Sequence, residues 1–235
     1  MTQPHAIEPS PALRDAIRAD LGPVHPLRSP LKRAMWLLPV AAATLVCAVV
    51  VFSFRRDAPI LGWLLTWGGS LAQALLGVWL IVLALRDAVP GRELRLNLLV
   101  TCIAIVLGFS AGLTLQTWRV SPIGIRLAWA LITTECFVGT WLTALPLLFG
   151  TVLLVSRAFP TRPWTTGLLA GLGAGATADA GWRLFCHFTT PAHVLLSHTA
   201  GMLAAALTGA LLSRMIVLNT REKRVSRPHS QSGRR

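Results

Sequence analysis

Between residues 179 and 198 the chain gathers most of the side chains able to do chemistry: Asp179, Arg183, Cys186, His187, His193 and His198. A second cysteine, Cys136, stands beside Glu135 at the head of the apolar run 137–156. Two thiols can be oxidised to a disulfide, and thiols with imidazoles are ligands for soft and borderline metals. Asp179 and Arg183 are spaced i, i+4 with the acid first, the favourable order for an ion pair along one helix. Thr190–Pro191 reads as a helix start, with Thr190 as cap and Pro191 in the first turn. On that helix His198 lies about 7.5 Å below His193 and is turned from it by about 140°. The two histidines therefore cannot chelate one ion from a single helix face, and a shared site needs Cys136, Cys186 or Glu135 from other helices. The tentative metal set is Cys136, Cys186 and His193, with His187 and His193 near enough in sequence to lower a thiolate pKa or complete a shell. Polar residues satisfying one another at a membrane surface is the plainer reading; the clustering of Cys, His and acid favours a sensing site. No metalloprotease helix motif, nucleophile elbow, Walker-type loop or haem-attachment pair occurs, so no enzyme and no resident cofactor is expected.

The elements that must position these residues follow from the apolar pattern. Six long apolar runs, at 34–54, 60–85, 96–118, 137–156, 165–182 and 194–218, are bounded by arginines. A bilayer core takes about 20 apolar residues to cross as a helix, and backbone in lipid must satisfy its own hydrogen bonds. The expectation is an all-α protein with six transmembrane helices at 34–218. With 54% hydrophobic and 13% charged residues in 235, little remains for a soluble domain: a segment at 1–33, short loops, and a basic tail at 219–235.

The net charge of +13 raises nucleic acid as a partner, but its distribution points to lipid. With the N-terminus inside, 17 of the 22 Lys and Arg residues fall on the inner side. That bias predicts both termini in the cytoplasm. The tail then lies against anionic headgroups, and no aromatic residue interleaves its charges, so no direct nucleic-acid binding is expected. In this topology the fourth and fifth helices, joined by a short loop, bring Cys136 and Cys186 together at the outer face. Cys47 lies mid-span and Cys102 in the inner third of the third span; thiols in such surroundings act as small hydrophobes.

The N-terminal segment has its own pattern. Leu13, Ile17 and Leu21 recur at i, i+4, i+8 after Ser10–Pro11, the spacing of a short amphipathic helix. Gly22, Pro23, Pro26 and Pro30 then impose an extended connector. Such a segment cannot fold alone; it either docks on a partner through these three residues or is a leader with no role. Within the spans, Gly167, Gly171, Gly173 and Gly175 allow close helix approach. Trp36, Trp63, Trp118, Trp141, Trp164 and Trp182 stand near span ends, as interface anchors do. A small transporter or channel is the alternative, but the first four spans offer little polarity beyond Gln73, Cys47 and some Thr and Ser. A haem-bearing oxidoreductase is disfavoured because only His198 lies inside a span.

The segment LGPVHPLRSPLKRAMW, the six runs, a cysteine opening the fourth, and FCHFTTPAHVLLSH before the sixth resemble the DUF1109 family, the NrsF-like membrane anti-sigma proteins. Where that family commonly has a proline after the cysteine and often an aromatic residue before the last histidine, this chain has His187 and Ser197. The resemblance implies a multi-pass protein of the bacterial inner membrane that holds an extracytoplasmic-function sigma factor inactive until an envelope signal arrives. It also implies that the outer cysteines, matched by Cys136 and Cys186, take part in sensing, through redox change or transient binding of a thiophilic metal. On this reading Cys136, Cys186, His187, His193 and His198 form the input, and Leu13, Ile17 and Leu21 the sigma-factor contact.

Overall fold

The computed structural model describes residues 10–20, 26–51, 54–123, 134–186 and 188–225, and among these every regular element is helical. Helix α1 (Pro11–Asp20) starts where the Ser-Pro pair places it, and Ser10 Oγ accepts the Leu13 amide at 3.3 Å. Its apolar residues Leu13 and Ile17 are half exposed; Leu21 lies outside the described residues. A short α2 (Pro30–Met35), capped by Ser29, leads into α3 (Leu38–Val51). Next come α4 (Ala58–Trp63), a wide π turn (Leu64–Gly68) and α5 (Gly69–Asp87). The remaining helices are α6 (Leu96–Val120), α7 (Thr134–Ser156), α8 (Pro163–Trp182), a short α9 (Pro191–His193), a second π turn (Val194–Thr199) and α10 (Ala200–Val225).

Four of these stretches are long and apolar enough to cross a membrane: Ala58–Asp87, Leu96–Val120, Thr134–Ser156 and Pro191–Asn219. The other two expected spans differ for identifiable reasons. Helix α3 is described over 14 residues, short of a full crossing on its own. Helix α8 is long enough at 20 residues, yet rich in Gly, Ala and Thr. Its position accounts for that composition. From Thr166 to Trp182 only Leu168 escapes full burial, because α8 is the central post against which α10, α5, α7 and α3 pack. A helix enclosed by protein has no lipid to face, so small residues that let backbones approach outweigh apolar bulk.

The glycines expected to allow that approach do so on two sides. A Cβ at Gly167 or Gly171 would strike the Gly209 or Ala205 carbonyl of α10, and one at Gly175 would sit 2.9 Å from Met202 Cα. Gly173 faces the opposite neighbour, where a Cβ would come within 2.6 Å of the Gly77 carbonyl of α5. Close backbones bring dispersion contacts to the bundle centre, where Leu80, Ile81, Leu147, Leu148, Leu169 and Met202 are almost wholly buried.

At the α8 N-terminus the bundle is tied by two buried charges. Arg33 donates to the Leu85 carbonyl at 3.4 Å and to the Leu154 carbonyl, placing a cation at the C-terminal ends of α5 and α7. Asp87 accepts the Leu94 amide at 2.8 Å and the Thr166 hydroxyl at 2.7 Å, placing an anion at the first turn of α8.

Candidate functional site

The opposite end of α8 carries the chemistry. Asp179, fully buried, is reached from three elements. Arg183 Nε donates to its Oδ2 at 3.0 Å, the ion pair expected from the i, i+4 spacing. Gln73 of α5 donates to the same oxygen at 2.5 Å, and His198 Nδ1 meets Oδ1 at 2.6 Å. A carboxylate only accepts, so His198 carries its proton on Nδ1 and turns Nε2 the other way. Arg183 continues outward to α6, donating to Ser110 Oγ at 2.8 Å and Thr114 Oγ1 at 3.0 Å. The turn after α8 is clamped in turn: Arg55 donates to the Arg183 carbonyl at 3.1 Å while its guanidinium grips Asp57 at 2.7 and 2.8 Å.

Beyond His198 lie the thiols. Cys136 opens α7 and Cys186 ends the turn after α8, and their sulfurs are 3.8 Å apart, both free. Cys186 Sγ is 3.4 Å from His193 Nε2. The rings of His193 and His198 meet edge to face with centroids 5.4 Å apart. One ligand atom from each of Cys136, Cys186, His193 and His198 falls within 4.8 Å of the others. Both histidines are essentially buried, and His193 Nδ1 and His198 Nε2 find no hydrogen-bond partner among the described residues. A small cleft lined by Arg55, Thr114, Arg183, Cys186, Thr189 and His198 borders the cluster.

Topology alone brings Cys136 and Cys186 together, as the adjacency of α7 and α8 leads one to expect. The separation of the two histidines is corrected. In a regular α-helix five residues place His198 well around from His193, but Val194–Thr199 is a π turn. Its i→i+5 hydrogen bonding widens the turn and carries residues five apart onto one side. His193 is fully buried within the bundle. Glu135 is exposed and stands apart from the site, and His187 lies outside the described residues. Thr190 occupies the cap position of α9 without a capping side-chain bond. Trp182 is no interface anchor: it is buried against Gly139 of α7 and donates to Thr143 at 3.0 Å. Cys102 is buried in the core, as expected of a packing thiol; the Cys47 side chain lies outside the described ones.

Sequence reasoning did not connect Asp179 to His198, nor Arg55, Ser110 and Thr114 to the site. Two signals were available: an acid in an otherwise apolar run, and hydroxyls at i, i+4 in the run that forms α6.

Among the described residues the bundle is all-helical, with four apolar stretches long enough to cross a membrane and a buried thiol–imidazole cluster. The comparison of sequences is specific: residues 18–218 match the family model NrsF, negative regulator of sigma F. The chain belongs to this family. Among curated proteins and among solved structures nothing matches it.

Proposed function

We propose that this chain is a six-span anti-sigma factor of the bacterial inner membrane with both termini in the cytoplasm. It holds an extracytoplasmic-function sigma factor inactive at residues 1–33 and releases it when the outer cluster receives a redox or thiophilic-metal signal. Residues 34–218 form the membrane domain, and the basic residues at 219–235 lie along the inner leaflet. The observation that carries the reading is the polarity of the bundle. A buried Cys–His–Asp cluster stands at one end of α8, and at the other Arg33 anchors α2, the helix that follows in sequence the amphipathic α1 with its exposed Leu13 and Ile17. Family membership supports a sigma factor as the partner, and the positive-inside bias supports the orientation.

Coupling between the ends must run through helix packing, and a signal can release the partner only by binding the two states unequally. Replacing Leu13, Ile17 and Leu21 together with Asp is expected to free the sigma factor while the protein stays in the membrane. Repression that survives in that variant would move the contact to the inner loops or the tail. Reporter fusions after Leu218 and after Arg55 are expected on opposite sides of the membrane; finding both on one side sinks the topology.

A further inference from the structure

We infer that Cys136, Cys186, His193 and His198 form a tetrahedral site for a single divalent d10 cation of the zinc and cadmium type, with Asp179 as the residue that orients His198. This deepens the input reading above and rests on it for regulatory meaning only; metal binding itself needs no sigma factor.

Geometry makes the first argument. Four zinc bonds of about 2.3 Å to sulfur and 2.0–2.1 Å to nitrogen give tetrahedron edges of about 3.8 Å between sulfurs and about 3.6 Å between sulfur and nitrogen. The corresponding separations are 3.8 Å for Cys136–Cys186 and 3.4 Å for Cys186–His193. The sulfurs stand well beyond the roughly 2.05 Å of a disulfide, and at the spacing of two ligands to one ion.

The second argument is the outer shell. A metal-bound histidine usually donates its other N–H to a carboxylate, which fixes the tautomer and raises ligand basicity. His198 has that arrangement, with Nδ1 2.6 Å from Asp179 Oδ1 and a buried, unpartnered Nε2 left for the cluster. A buried polar nitrogen without a partner is costly, and a cation satisfies it.

Charge makes the third. Two thiolates neutralise a divalent ion, and Arg183 neutralises Asp179. The occupied site therefore buries no net charge, as an interior requires. Two thiolates with two imidazoles suit a borderline ion in tetrahedral geometry; harder ions such as Mg2+ prefer oxygen ligands. The turn that aligns the histidines is a π turn, a wide turn often found at functional sites.

The test is a Co2+ titration of the full chain, purified in detergent under reducing conditions and stripped with a chelator. About one equivalent of Co2+ should bind, with the visible ligand-field bands of a tetrahedral thiolate site, and Zn2+ should bleach them. Cys136→Ser, Cys186→Ser and His198→Gln should each weaken binding at least tenfold, and Asp179→Asn by about 10–100-fold. Cys102→Ser should change nothing. Where Asp179→Asn fails to fold, Asp179→Glu carries the same arm, because it keeps the charge beside Arg183 while displacing the carboxylate from His198 Nδ1, and it should weaken binding without abolishing it. Folded wild-type protein without the bands overturns the site, as do bands unchanged by Cys186→Ser. Retention of the sigma factor on the same preparation is scored separately. Protein that shows the bands but never retains a sigma factor supports the metal site and overturns the input reading; the reverse result overturns the metal site alone.

Discussion

Helix α8 has a buried acid near each end, and the two are treated differently. Asp87, beside the α8 N-terminus, is satisfied by a backbone amide and threonine hydroxyls, and Arg33 nearby by two helix-terminal carbonyls. Every partner there is a fixed part of the fold. Asp179, near the α8 C-terminus, takes its partners from the side chains of Gln73, Arg183 and His198. Two of those reach on to groups with further capacity, the Ser110–Thr114 hydroxyls and the thiol–imidazole cluster. One end is a joint and the other is a network with unfilled valence. A structural tie closes its hydrogen bonds within the fold, whereas a site leaves some for a ligand.

Thermal unfolding of the solubilised protein separates these ends. The largest loss is expected at the network: Asp179→Ala leaves Arg183 and His198 buried without their carboxylate and should cost about 3–5 kcal/mol. A loss below 1 kcal/mol would mean that water or ligand reaches the site freely. Next comes the close approach along α8, where Gly171→Ala forces a methyl against the Ala205 carbonyl and should cost about 1–3 kcal/mol. At the joint, Arg33→Met keeps the apolar stem but abandons two carbonyls and should cost about 1–2 kcal/mol. A larger loss at Arg33 than at Asp179 would reverse the comparison. The smallest effect belongs to the exposed helix, since Leu13→Asp with Ile17→Asp should shift stability by about 0.5 kcal/mol or less.

The paired thiols Cys136 and Cys186 sharpen the contrast in function rather than stability. Cys136→Ser and Cys186→Ser should each blunt induction of the sigma regulon as fully as the double replacement, because a pair acts as one unit. Cys102→Ala should leave the response unchanged. An induction curve untouched by the double replacement would show that the signal enters elsewhere.

Parts of this arrangement were legible early because they depend on local or topological rules. The Asp179–Arg183 pair follows from helical spacing, and the meeting of Cys136 with Cys186 from two helices joined by a short loop. The start of α1 at Pro11 follows from the Ser-Pro signal. Other parts were hidden for equally physical reasons. His193 and His198 converge only because one turn of helix adopts π spacing, and an α-helical ruler misplaces them. Trp182 reads as an anchor by position but serves as packing, because Gly139 on α7 leaves a recess for its ring. Gln73 stands out in an apolar run, yet nothing in its neighbours names Asp179, 106 residues away, as its partner.

By itself the sequence determined that the chain would be helical, and which thiols and imidazoles were available. Those properties follow from side-chain polarity and from the backbone's need to close its own hydrogen bonds in an apolar medium. Only the tertiary structure decided which helix would be central, and it selected one rich in Gly, Ala and Thr, because glycine lets two neighbouring backbones come close at once. It also decided that His198 would join the thiols while Glu135 stayed outside. That choice depends on a carboxylate from α8 and an amide from α5 meeting at one depth in the bundle, a relation between helices that no spacing along the chain encodes.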